Sequence, residues 1–170
     1  VEQRDDSPQR RQSSVLVTGN RRLQRYLSIG GTVSFNRAEP RNALAGDRAQ
    51  LLRLSTYVQQ RFGIGTSRLE VFVADIEERS EDGDAHGIVW DQGWELLREL
   101  SLSTTLSHAR TTGLSRNEQR DAVSILFTHT LSPDFIWNGS ARYTNVKTEG
   151  RVDTNNYNAT LGAVWNFRRN

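Results

Sequence analysis

Tyr157-Asn158-Ala159-Thr160-Leu161-Gly162-Ala163-Val164-Trp165-Asn166-Phe167 alternates in chemistry residue by residue. Tyr157, Ala159, Leu161, Ala163, Trp165 and Phe167 share one face. Asn158, Thr160, Gly162, Val164 and Asn166 share the other. A period of two sends successive side chains to opposite faces of a sheet, so this is a strand with one apolar side.

The same pattern runs upstream. Phe135, Trp137, Gly139, Ala141 and Tyr143 alternate with Ile136, Asn138, Ser140, Arg142 and Thr144. Val123, Ile125, Phe127 and Leu131 alternate with Ser124, Thr128 and Thr130, and Leu100, Leu102 and Leu106 with a serine- and threonine-rich face. Leu69, Val71 and Val73 oppose Arg68, Glu70 and Phe72. Leu52, Leu54 and Val58 oppose Arg53, Ser55, Tyr57 and Gln59. Leu27, Ile29, Val33 and Phe35 complete the clear segments. Val15 and Val17, and the Ile88–Leu96 stretch, are weaker.

The pattern thus gives about eight or nine strands of roughly 10–14 residues. Soluble strands average about 5–6 residues, whereas a tilted membrane strand needs about 9–11. The expected fold is all-β, an antiparallel up-and-down transmembrane β-barrel, read as a single domain over 1–170.

Composition agrees. Hydrophobic residues make up 35% of the 170 residues, and mean hydropathy is -0.65. A spanning helix needs about 18 consecutive apolar residues, and no window supplies them. A barrel needs only one apolar face per strand. Cysteine is absent, which excludes disulfides and thiolate metal sites. With 22 basic and 20 acidic residues and no run of five like charges, nucleic acid is not an expected partner.

Short connections around Leu23–Tyr26, Phe62–Thr66, Leu97–Arg98 and Leu131–Asp134 alternate with longer polar stretches at Ala38–Asp47, Glu78–Gly87, Ala109–Arg120 and Lys147–Asn155. Tight periplasmic turns and longer outer loops have this asymmetry. Leu23-Gln24-Arg25-Tyr26-Leu27-Ser28-Ile29 and Leu96-Leu97-Arg98-Glu99-Leu100-Ser101-Leu102 form a weak repeat, with a looser copy at Leu131–Trp137. Counting back from a descending last strand puts the start of the first strand outside. Single-chain barrels normally have an even strand count. Either the first strand is misassigned or 1–170 is the C-terminal part of a larger barrel. The missing methionine and signal peptide favour the second reading.

Candidate functional residues follow from facing. Phe35, Trp94, Phe135, Trp137, Tyr143, Tyr157, Trp165 and Phe167 lie near strand ends on the apolar face, where amphipathic rings suit the headgroup level. Arg53, Tyr57, Glu70, Glu95, Glu99, Asn138 and Arg142 are assigned to the lumen, because charges need water or partners there. His86, His108 and His129 show no metal-like spacing. Ser107 and His108 are adjacent and so point to opposite faces. Neither a catalytic residue nor a metal or cofactor is expected, and the chain is read as not an enzyme. Glu81, Asp82 and Asp84 read as an acidic loop, more often solvated than cation-binding.

The terminal stretch resembles the last strand of bacterial outer-membrane barrels, although Arg168-Arg169-Asn170 follow Phe167. The whole chain is similar in composition to porin-like barrels associated with exopolysaccharide and PEP-CTERM sorting systems. That resemblance implies outer-membrane localisation, the barrel-assembly machinery and outer-membrane lipids as partners, and a role as passage or anchor. The leading functional reading is a passive channel or export pore for a polysaccharide or small solute. The alternatives are a structural or adhesive barrel with a plugged lumen and a soluble lipocalin-like binding protein.

The facing assignment can be measured. A lipid-facing Arg at the bilayer midplane costs about 2–4 kcal/mol, whereas a lumen-facing one stays hydrated. Leu161→Arg is expected to destabilise by that order and Thr160→Arg much less, in denaturant unfolding from lipid vesicles. Equal losses reject the assigned facing.

Overall fold

The computed structural model describes residues 10–40, 49–78, 81–113 and 117–165. They form nine strands: β1 (Arg10–Gln24), β2 (Leu27–Pro40), β3 (Ala49–Phe62), β4 (Gly65–Glu78), β5 (Glu81–Leu97), β6 (Leu100–Gly113), β7 (Glu118–Ser132), β8 (Phe135–Thr148) and β9 (Thr154–Trp165). All lie in one sheet in the order β1-β2-β3-β4-β5-β6-β7-β8-β9. Every neighbouring pair is antiparallel. The topology is up-and-down, as the alternation predicts. The sheet is not closed on itself, since β1 and β9 do not pair.

Register turns the alternation into two surfaces. One row across the sheet reads Ile29, Val58, Leu69, Trp90, Leu106, Val123, Tyr143, Tyr157. The row on the opposite face, one residue along, reads Asn20, Gly30, Tyr57, Glu70, Val89, Ser107, Ala122, Thr144, Asn156. Leu54 is 54% exposed while its neighbour Ser55 is 6% exposed. Tyr57, Ala74 and Ala122, also on the polar side, are buried. On a curved sheet the side chains that crowd each other are on the inner face, so the polar surface is inside and the leucine surface outside. Gln92 is the buried polar exception on the apolar side, flanked along its strand by Trp90 and Trp94. Leu16, Leu126 and Val164 are apolar exceptions on the polar side, and all are exposed.

Two-residue turns join the strands at one end: Arg25-Tyr26, Gly63-Ile64, Arg98-Glu99 and Pro133-Asp134. Three of them share a bond. The carbonyl of the second turn residue accepts from the neighbouring strand: Arg61 N to Tyr26 O at 2.8 Å, Glu95 N to Ile64 O at 2.6 Å, and Thr130 N to Glu99 O at 2.8 Å. Two of these turns, at Tyr26 and Glu99, lie in the two closest copies of the sequence repeat.

At the opposite end the strands run further than the alternation indicates. The β4–β5 pairing continues to Glu78 opposite Glu81, so most of Glu78–Gly87 is strand rather than loop. Glu81 therefore lies on the inner face and Asp82 and Asp84 on the outer face, and the three do not form an acidic loop. Ala109–Gly113 belongs to β6 and Glu118–Arg120 to β7. The reason is physical. A strand of 14 residues at 3.4 Å per residue, tilted about 40°, climbs roughly 36 Å, more than the apolar band of about 25 Å. Beyond the band both faces are wet, so the period-2 signal fades although pairing continues. The β8–β9 connection closes with Arg151 N to Thr148 O at 3.1 Å. Its Gly150 has φ 73, a left-handed conformation suited to glycine.

Gly30 shows how the inner surface packs. It pairs directly with Tyr57, whose ring lies across it. A Cβ on Gly30 would come within 2.5 Å of that ring. Gly30→Val is expected to cost about 1–3 kcal/mol by overpacking. Tyr57→Ala in the same chain should recover most of the loss. Unfolding the two single variants and the double variant tests this, and strictly additive losses would remove the ring–glycine contact from the account.

Candidate functional site

The candidate site is the polar inner face, and its best-defined part is on β3 and β4. Arg53 and Glu70 lie on neighbouring strands, and Arg53 Nη2 donates to Glu70 Oε1 at 3.0 Å. Arg68 Nη2 donates to the other oxygen, Glu70 Oε2, at 2.6 Å. One carboxylate thus bridges two guanidinium groups. Each cation also covers an aromatic ring, Arg53 over Phe72 at 4.1 Å and Arg68 over Tyr57 at 3.9 Å. Cation–π contact adds about 0.5–1 kcal/mol at exposed sites and fixes the planar groups against the wall. Pairing with arginine suits a carboxylate in this position because the guanidinium is a rigid fork.

Hydroxyls, amides and further charged groups recur along the rest of this face. Thr105 Oγ1 donates to Asp91 Oδ1 at 2.7 Å, and Ser140 and Thr160 hydroxyls share a bond at 2.7 Å. Arg120 Nη2 reaches Glu118 Oε1 at 3.0 Å nearer the loop end. Asn138 and Arg142 lie on β8 on this polar side, and Glu95 lies on β5 opposite Ser101. Glu99 is in the β5–β6 turn rather than on a strand, which places it at the rim. Arg53, Glu70 and Tyr57 come together, while Glu95, Asn138 and Arg142 stand apart from them.

The aromatic residues occupy the outer face. Phe35, Trp94, Phe135, Trp137, Tyr143, Tyr157 and Trp165 all have the parity of the leucine set. Phe135 and Trp165 meet edge to face at 6.0 Å between ring centres. Phe127 and Trp137 do the same at 6.2 Å. Tyr143 and Tyr157 are 4.9 Å apart, and the Tyr143 hydroxyl donates to Asn155 Oδ1 at 2.8 Å. Trp90 Nε1 donates to Ser67 Oγ at 2.9 Å. Phe167 lies outside the described residues.

One pair was not anticipated. His108 Nδ1 and Asp121 Oδ1 are 2.6 Å apart on the outer face. They are direct partners across the β6–β7 ladder. Thirteen residues separate them, so only the hairpin register could have revealed the pair. An apolar groove of about 280 Å³, with Leu69, Ile88, Trp90, Leu106 and Val123 in its wall, adjoins it. Among the described residues there is no group of three or more metal-ligating side chains.

No family model matches the chain, and no curated protein does. Two solved structures share its architecture. The first is the outer-membrane expressed OmpT of Vibrio cholerae, with TM-score 0.67 and 9% identity over 93% of this chain and 56% of that one. The second is the in-vitro folded OmpT, an outer membrane protein of the same organism, with TM-score 0.67 and 10% identity over 92% of this chain and 55% of that one. The chain therefore spans little more than half the length of the structures it matches.

These neighbours correct one expectation. Both are outer-membrane proteins, and a likeness to them excludes no activity, so the expectation that the chain is not an enzyme is withdrawn. At such identity the likeness transfers neither an activity nor its absence. The exopolysaccharide association has no counterpart in the neighbours.

Glu70 supplies a measurable test of the inner face. Removing its charge leaves Arg53 and Arg68, both about one-third exposed, facing each other without a counterion. Glu70→Gln is expected to cost about 1 kcal/mol, since partial exposure screens the pair. The loss should shrink as salt rises from 0.05 to about 0.5 M, through shorter screening length. A salt-independent loss in vesicle unfolding would show that packing, not charge, is responsible. By fold, the chain is an all-β up-and-down sheet of the bacterial outer-membrane β-barrel kind.

Proposed function

We propose that this chain forms part of the wall of a porin-like outer-membrane pore that passes polar solutes passively. The observation that carries the reading is the division of the sheet. Its inner face carries hydroxyls, amides and charged groups, among them Glu70 paired with Arg53 and Arg68, and its outer face exposed leucines, valines and aromatic rings. Such an inner face holds water and suits a small polar solute or a polysaccharide strand. The outer face suits lipid, with the tryptophans and tyrosines at headgroup depth.

The edges matter to this proposal. β1 and β9 each leave one row of backbone groups without a partner strand. In a bilayer such edges have no water to satisfy them, so a pore requires further strands to join them. Insertion would depend on the barrel-assembly machinery, and outer-membrane lipids would cover the outer face. The exposed apolar rows disfavour the soluble binding-protein reading.

Reconstitution of the closed barrel, with the strands that pair β1 and β9 present, into planar bilayers tests the proposal. Discrete, ohmic conductance steps are expected. Insertion into vesicles without any conductance would favour a plugged structural or adhesive barrel instead.

A further inference from the structure

We propose that the turn end of the inner face carries an oxyanion-binding site formed by Arg22, Arg25 and Arg61. This rests on the reading of the polar face as a lumen.

A cavity of about 250 Å³ opens there. Its lining includes these three arginines together with Asn20, Tyr57 and Gln59, and no carboxylate. The contrast with β3 and β4 is the argument. There Arg53 and Arg68 both pair with the Glu70 carboxylate. At the cavity the positive charge is uncompensated by the lining.

The backbone brings the three cations together. Arg61 N donates to Tyr26 O at 2.8 Å, which docks the β1–β2 turn against the end of β3. Arg22 Nη2 donates to Arg25 O at 2.7 Å, which ties one guanidinium to the turn and leaves its other N–H groups free of that bond. Arg25 lies over the Tyr26 ring at 5.4 Å. Holding three like charges at one place is unfavourable unless water or an anion screens them. Guanidinium forks match the oxygens of phosphate, sulfate or carboxylate. Amide N–H groups of Asn20 and Gln59 add neutral donors. The ligand class is therefore a small multivalent oxyanion. Its source is a soluble solute rather than a lipid headgroup, because Asn20, Arg22, Tyr57 and Gln59 belong to the inner face.

The test uses tripolyphosphate and the full chain folded in phosphatidylcholine vesicles. Phosphorus NMR should show saturable binding. Arg22→Gln/Arg25→Gln/Arg61→Gln together should weaken it about tenfold, from three screened contacts. Arg110→Gln, on the outer face, should leave it unchanged. If the triple variant does not fold, Arg61→Gln alone should weaken binding a few-fold. Absence of saturable binding, or equal binding by the variants, overturns the site. Displacement of tripolyphosphate by phosphatidylglycerol in the vesicles would assign the arginines to a headgroup and overturn the soluble ligand. Conductance, measured in parallel, separates the two readings. Binding without current supports the site and rejects the pore, whereas current without binding rejects the site and leaves the pore standing.

Discussion

Backbone hydrogen bonding in an apolar medium is the constraint on which the rest of this structure depends. A strand crossing a bilayer finds no water to satisfy its N–H and C=O groups, so each must pair with a neighbouring strand. The sheet meets this demand in the simplest way, with each of nine strands antiparallel to the next in sequence. Tight turns then suffice at one end, and register follows from strand to strand. Where that pairing stops, at β1 and β9, the demand passes to whatever strands lie beside them.

Side-chain chemistry follows from the same geometry. Once the backbone is committed to the sheet, alternation assigns every side chain to lipid or to water. The outer face therefore has little to offer stability through a packed core, and few of its residues are buried. The inner face acquires fixed structure through polar contacts instead. Glu70 between Arg53 and Arg68 is the clearest case, with the two guanidinium groups laid over Phe72 and Tyr57. Tyr57 in turn needs the missing side chain of Gly30. Charge, ring and glycine form one connected patch, while the arginines at the turn end stand outside it.

The likeness to OmpT of Vibrio cholerae at 9–10% identity has a physical basis. A membrane sheet asks only for a two-residue period, aromatic rings near strand ends and turn-forming residues. Many unrelated-looking sequences meet those conditions. The same tolerance explains why fold says little about activity, which depends on particular side chains in particular rows.

The sequence by itself determined the strands, their faces and the tight turns, because these are local. Tyr157–Trp165 displays its two faces without reference to any other segment, and Arg25-Tyr26 or Pro133-Asp134 marks a turn between two alternating runs. It also placed Phe35, Trp94, Trp137 and Tyr143 on the apolar side. Its reach ended where both faces become wet, so Glu81–His86 read as loop although the backbone pairing continues there. Tertiary structure alone decided what depends on register across strands. That includes His108 beside Asp121, the shared carboxylate of Glu70, the Tyr57 ring over Gly30, and the meeting of Arg61 with the Arg22–Arg25 turn. Each joins residues whose separation in sequence carries no period, and only hydrogen bonding between strands fixes which side chains lie opposite one another.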